Sequence, residues 1–244
     1  MESDKSQEPP KPSESTAIEK VGQKAEALVK WITDKAITGV PPLSSAEDLA
    51  DEYRIHQGFT SDDDRVDSLI NWECGKNFAA GFLAGLGGVM VMPVAIPAIL
   101  GASWVIQARM SAAIAKIYGH NLDEDRVRTF VLLTLLGGEA AEVLREAGVI
   151  IGSKLTVQAI RMIPSKAIFA INKAVGFRLL TKAGSKGVIN LVRIAPVVGG
   201  AVGGTIDLVA CRTVGALAKR AFRPGDAAEG DKPEPPQAQV ATVP

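Results

Sequence analysis

The side chains that carry most enzyme chemistry are scarce in this sequence. His56 and His120 are the only histidines, and no HExxH pair or Cys/His cluster accompanies them. A zinc or iron site would have to be assembled mostly from carboxylates. No metal and no cofactor is therefore expected, and both histidines read as solvent-exposed loop or helix-end residues. Cys74 and Cys211 sit in no CxxC pair and cannot make a disulfide framework. They read as buried small hydrophobes in a reducing compartment. Ala183-Gly184-Ser185-Lys186-Gly187 echoes the G-x-S-x-G nucleophile elbow, but Ala183 replaces the first glycine and no strand leads into it. It reads as a helix–helix turn. Gly81, Gly85, Gly87 and Gly88 suggest a phosphate loop, yet the Lys-Ser/Thr pair of a P-loop does not follow. No catalytic residue is assigned from these patterns.

The glycines have a better use. Gly81-x-x-x-Gly85, Gly199-x-x-x-Gly203 and Gly200-x-x-x-Gly204 are small-xxx-small faces, which let two helices approach backbone to backbone. Aromatic residues make up only 5% of the chain against 24 glycines, so close helix contact rather than large rings must fill the core.

A net charge of zero conceals a gradient. Residues 1–75 hold 16 acids and 8 bases, whereas residues 147–206 hold 8 bases and no acid. Those bases are Lys154, Arg161, Lys166, Lys173, Arg178, Lys182, Lys186 and Arg193. Their gaps of four, five and seven residues are compatible with recurring helix faces, interleaved with apolar residues. Such a surface suits an anionic membrane, where each base adds about 1 kcal/mol near the headgroups. An intramolecular match to the acidic helices near the N-terminus explains it equally well. Nucleic acid is not expected, because the run carries only Phe169 and Phe177 for base stacking.

The elements that must hold these residues are helical throughout. Ile18, Val21, Ala25, Leu28, Val29 and Ile32 recur at three- and four-residue steps over 16–38, and Gly39 with Pro41-Pro42 ends the helix. Ser44 or Ser45 caps a short acidic helix through Ile55; Ser61 and Asp62, Asp63 and Asp64 begin the next. The stretch 77–108 carries no charge and is interrupted by Pro93 and Pro97. One helix is expected to end near Val91, and another to run from about Pro97 to Tyr118. Core packing, a re-entrant hairpin and a membrane span all remain open for this stretch. Asn121 is placed as an N-cap with Glu124 closing a capping box for helix 122–136. Helices 139–147, 152–162 and 165–175 follow, the last stopped by Gly176, and a long helix covers 196–222. No alternating β-branched run with a tight-turn signal appears, so strands are not expected. Residues 1–15 and 224–244, rich in Pro, Glu, Ser, Gln and Ala, are expected to be disordered tails flanking one all-α multi-helix domain at 16–223. The N-terminus lacks the pattern of a secretory signal, which predicts a cytoplasmic location.

Several of these residues together resemble the EcsC family. They are Phe78-Ala79-Ala80-Gly81-Phe82, Gly85-Leu86-Gly87-Gly88, Pro93, Pro97, Gln107-Ala108-Arg109-Met110 and Ile114-Ala115-Lys116-Ile117-Tyr118-Gly119. Pro164, Asn172-Lys173-Ala174-Val175-Gly176, Pro196-Val197-Val198-Gly199-Gly200 and Asp207 extend the resemblance over about 45–222. It implies a helical, mostly bacterial protein whose namesake is encoded beside an ABC transporter linked to protein secretion. It implies no particular activity. Many relatives carry an acid near the second proline and another just after Tyr-Gly, where this chain has Ala95-Ile96 and His120-Asn121. The favoured reading is a non-enzymatic accessory protein, peripheral on the cytoplasmic face of a membrane, with an anionic surface or a membrane protein complex as partner. The rivals are a hydrolase or transferase acting on a membrane-linked substrate, through Arg109, Tyr118, Asn172, Lys173 and Asp207, and a soluble protein-binding scaffold.

Overall fold

A computed structural model describes the backbone of residues 14–86, 92–149, 157–185 and 196–224, with side chains described for 19–76, 101–149, 160–182, 205 and 207–224. Helix α1 (Glu14–Thr38) buries Ala25, Val29, Ile32 and Ala36, one stripe at helical spacing. It stops at Gly39, whose φ of 82° lies in the left-handed region that favours glycine. Helix α2 (Ala46–Ile55) starts from a full capping box: the Ser45 hydroxyl accepts from the Asp48 amide at 3.0 Å, and the Asp48 carboxylate accepts from the Ser45 amide. Helix α3 (Asp62–Leu86) starts where the Ser61 hydroxyl accepts from the Asp64 amide at 3.1 Å.

Helix α4 (Met92–Ile117) corrects the expected proline break. Pro93 stands in its first turn, where amides lack intrahelical partners anyway, and Pro97 lies one turn further in rather than at the start. The expected helix end near Val91 falls outside the described residues. Helix α5 (Asp125–Thr134) also begins later than expected. Asn121 turns back on itself to accept from the Asp123 amide at 3.0 Å, and Glu124 takes the cap position without a side-chain bond. A single 3₁₀ turn (Gly137–Glu139) leads into α6 (Ala140–Glu146), and α7 (Val157–Met162) precedes α8 (Ser165–Ser185). Helix α8 runs straight through Gly176. That glycine is not a stop but a contact: a Cβ there would sit 2.2 Å from the Ala25 carbonyl oxygen of α1. Residues 183–185 are consequently helix, not the turn expected of Ala183-Gly184-Ser185. Helix α9 (Pro196–Phe222) matches its expected bounds.

No strand occurs among the described residues, where Val40 and Leu43 make only an isolated bridge. Apart from Glu14, Ser15 and Pro224, the expected tails lie outside the described residues. The packing is dominated by α3 and α9, which run antiparallel. Asp67 meets Lys219, Ile70 covers Gly215 and Cys74 touches Cys211, so one register holds along both helices. Helix α4 lies across this pair and contacts α1 and α2 as well, while α8 packs on α1. The shared core includes Phe130 and Phe222, edge to face at 6.0 Å, with Met110, Ile114, Leu132 and Leu133 around them.

Candidate functional site

On α3, Val66 and Leu69 point into the core, and the next turn of that stripe delivers a carboxylate, Glu73, with no exposed surface. Its charge is met from α4. Arg109, 2% exposed, donates through Nη2 to Glu73 Oε2 at 2.6 Å, and Lys76 Nζ donates to the other oxygen at 2.9 Å. The second guanidinium nitrogen, Nη1, donates to the carbonyl and hydroxyl oxygens of Ser44 at 3.2 and 3.1 Å. Arg109 thus ties α3, α4 and the α1–α2 connection to one point. Its Nε is buried with no hydrogen-bond partner among the described atoms.

Above this pair opens a cleft of about 390 Å³ lined by Glu52, Tyr53, His56, Phe59, Trp72 and Lys76. Burial, and then the Glu73 charge, push the Tyr53 phenol up to about 12, so it stays protonated at neutral pH and can donate but not act as a base. His56 Nδ1 accepts from the Gly58 amide at 3.2 Å and its ring lies against Phe59. As expected it is exposed. His120 is not: it is half-buried, packs edge-on to Phe222 and shares a 2.8 Å hydrogen bond with the Phe222 carbonyl, one of the acceptors left open at the end of α9.

The five polar residues considered for an enzyme do not converge. Arg109 is engaged as above. Tyr118 donates to Asp63 Oδ1 at 2.6 Å, and burial followed by that bond drives its phenol far above the usual range. Asp207 is half-buried, and burial raises its carboxyl above the ordinary aspartate range. Asn172 lines a separate groove with Lys30, Asp34, Arg128 and Phe169, its Oδ1 buried without a partner among the described atoms. Lys173 is exposed on α8 and lies over Gly22 of α1.

The basic run is divided. Arg178 fans across α6, meeting Glu142 at 2.9 Å, Glu146 at 2.8 Å and Glu139 at 3.4 Å, and Lys182 meets Glu139 at 3.0 Å. The acids that match these bases therefore come from α6 and the 3₁₀ turn before it, not from the N-terminal helices. Arg161, Lys166 and Lys173 are exposed, while the side chains of Lys154, Lys186 and Arg193 lie outside those described. Gly81 and Gly85 lie on α3 and Gly199, Gly200, Gly203 and Gly204 on α9, the two helices in greatest contact, but their surroundings also fall outside the described side chains. Gly87 and Gly88 lie outside the described residues.

A second surface is apolar. Leu28 and Trp31 of α1, Val40 and Leu43, and Trp104 and Val105 of α4 line an open groove of about 500 Å³. Trp31 is 44% exposed. Lys24 and Lys35 bracket Leu28 and Trp31 at helical spacing on α1. The α4 wall, including Gly101 and Ala102, belongs wholly to the charge-free stretch 77–108. No described helix is long and apolar enough to cross a membrane.

Sequence reasoning missed Glu73 and the groove. Glu73 was findable as a charge on the stripe that carries Val66 and Leu69. The groove joins residues more than sixty positions apart, and no local pattern announces it. The sequence model of the EcsC protein family matches residues 13–224, which adds α1 to the span resembled. No curated protein and no solved structure matches the chain.

Proposed function

The chain belongs to the EcsC protein family, and on that premise we propose that it is a non-enzymatic accessory protein seated peripherally on the cytoplasmic face of a membrane. The groove of Leu28, Trp31, Val40, Leu43, Trp104 and Val105 is the contact, and the observation that carries the reading is Trp31 standing exposed at its edge. Indole rings pair an apolar body with a polar N–H, which suits the headgroup level of a bilayer. Lys24 on the same face adds a weak pull toward anionic lipid, whereas Lys35 is already paired with Asp34 at 3.1 Å. The charge-free wall from α4 lets the groove meet acyl chains without desolvating an ion. Lys166 and Lys173 contribute a further electrostatic attraction, whereas Arg178 and Lys182 are already matched by α6 and add little. A transport- or secretion-linked setting is consistent with what the family resemblance implies.

Sedimentation with vesicles tests this. The protein should pellet with vesicles of phosphatidylglycerol and phosphatidylcholine, and Trp31→Ser should release most of it at unchanged thermal midpoint. Lys166→Glu with Lys173→Glu should weaken binding only in part, and high salt should act in the same direction. A wild type that stays in the supernatant with both anionic and neutral vesicles would remove the membrane reading and leave the protein-binding scaffold ahead.

A further inference from the structure

Cys74 and Cys211 are 137 residues apart in sequence and meet in the interior. They occupy facing positions of the antiparallel α3–α9 pair, one step beyond Ile70 and Gly215, in the register that sets Asp67 against Lys219. Neither side chain reaches solvent, and the sulfurs are 2.6 Å apart. That is closer than a metal ion between them permits, since two bonds of about 2.3 Å at a tetrahedral angle hold sulfurs well beyond 3 Å apart. Met110 Sδ, 4.0 Å from Cys211 Sγ, closes the pair off on the α4 side with a further apolar sulfur.

We propose that Cys74 and Cys211 are a reversible modification site: an intramolecular disulfide that staples α3 to α9. The oxidant is a small-molecule disulfide, such as oxidised glutathione. Cys74, as thiolate, attacks one of its sulfurs and expels one thiolate, leaving a mixed disulfide. Cys211 gives up its proton and attacks the Cys74 sulfur, expelling the second. The two cysteine sulfurs are oxidised, the added disulfide is reduced to two thiols, and those thiols carry away both protons. Because both sulfurs are covered, exchange requires α3 and α9 to part, so it is slow in the folded protein and fast during refolding. Closing so long a loop restricts the unfolded chain and leaves the packed helices in place.

Intact mass and thiol titration in denaturant decide the matter on the wild-type chain, after exposure to oxidised glutathione both folded and during refolding. The expected product has no titratable thiol, is lighter by two hydrogen atoms, and migrates faster on a non-reducing gel. Its thermal midpoint should rise by several degrees and return on adding reductant, while Cys211→Ala shows neither change. Two thiols surviving both treatments, or a glutathione adduct that never resolves to the internal bond, would overturn the proposal.

Discussion

Two regions of the molecule hold a base against acids, and they do so on opposite terms. Between α3 and α4, Arg109 and Glu73 are sealed from water and fixed to Ser44 and Lys76. Between α6 and α8, Arg178 meets three glutamates, each about half exposed. The exposed cluster has more partners, yet its charges are screened and already well solvated. In the buried pair each ion depends on the other, because neither can recover its lost hydration. The number of ion pairs is therefore a poor guide to their weight; depth decides.

Removing one partner of the buried pair should have the largest effect. Glu73→Ala should cost roughly 3–5 kcal/mol in urea unfolding, because the Arg109 charge is stranded, and Arg109→Ala less, because Lys76 still meets Glu73; the Glu73→Leu, Arg109→Met double variant should recover most of the larger loss. If either single variant costs no more than Arg178→Ala, the contrast between the two regions collapses. Next come substitutions that test backbone approach rather than charge. Gly176→Val should cost at least about 1–3 kcal/mol, since a side chain there meets the α1 backbone. A register that continued unchanged along α3 and α9 would set Gly81 against Gly204 and Gly85 against Gly200. Gly85→Leu and Gly200→Leu should then each cost about 1–3 kcal/mol by overpacking, and unchanged thermal midpoints would show that those glycines face away from the seam.

Arg178→Ala should cost less than about 1 kcal/mol for each pair it loses, a difference that high salt erases. The smallest effects are pH-dependent and opposite in sign. Lys182, and then Arg178, hold the Glu139 carboxyl below the usual glutamate range. Its contribution is present above the unfolded value of about 4.3 and is lost as the pH falls through the folded one. Asp207 is raised by burial, so its ionised form opposes folding. Its contribution is present below the unfolded value of about 3.9 and is lost as the pH rises through the folded one. Asp207→Asn should therefore raise the thermal midpoint at neutral pH and leave it nearly unchanged in acid.

Most helix boundaries were legible because local chemistry writes them: the Ser45 capping box, Gly39 beyond α1, the acids that open α3. Gly176 misled because a glycine reads as a stop from sequence alone, and only the Ala25 carbonyl beside it shows that it marks a close approach. Asn121 misled because its side chain bonded the nearer amide of Asp123 instead of capping a helix. The basic run was visible as composition, but its partition was not, since the acids that match Arg178 sit on α6 and the 3₁₀ turn before it, a segment that shows no preference for α8 until the chain has folded. The groove was invisible for the same reason.

Quenching of tryptophan emission by brominated lipid tests the membrane contact most directly. In a Trp72→Phe variant only Trp31 and Trp104, both in the groove, report. Vesicles containing phosphatidylglycerol, with bromines near the top of the acyl chains, should quench that emission and shift it to the blue, and Trp31→Ser on the same background should lose most of the effect. Emission that is unchanged by brominated vesicles at saturating lipid would contradict seating through this groove.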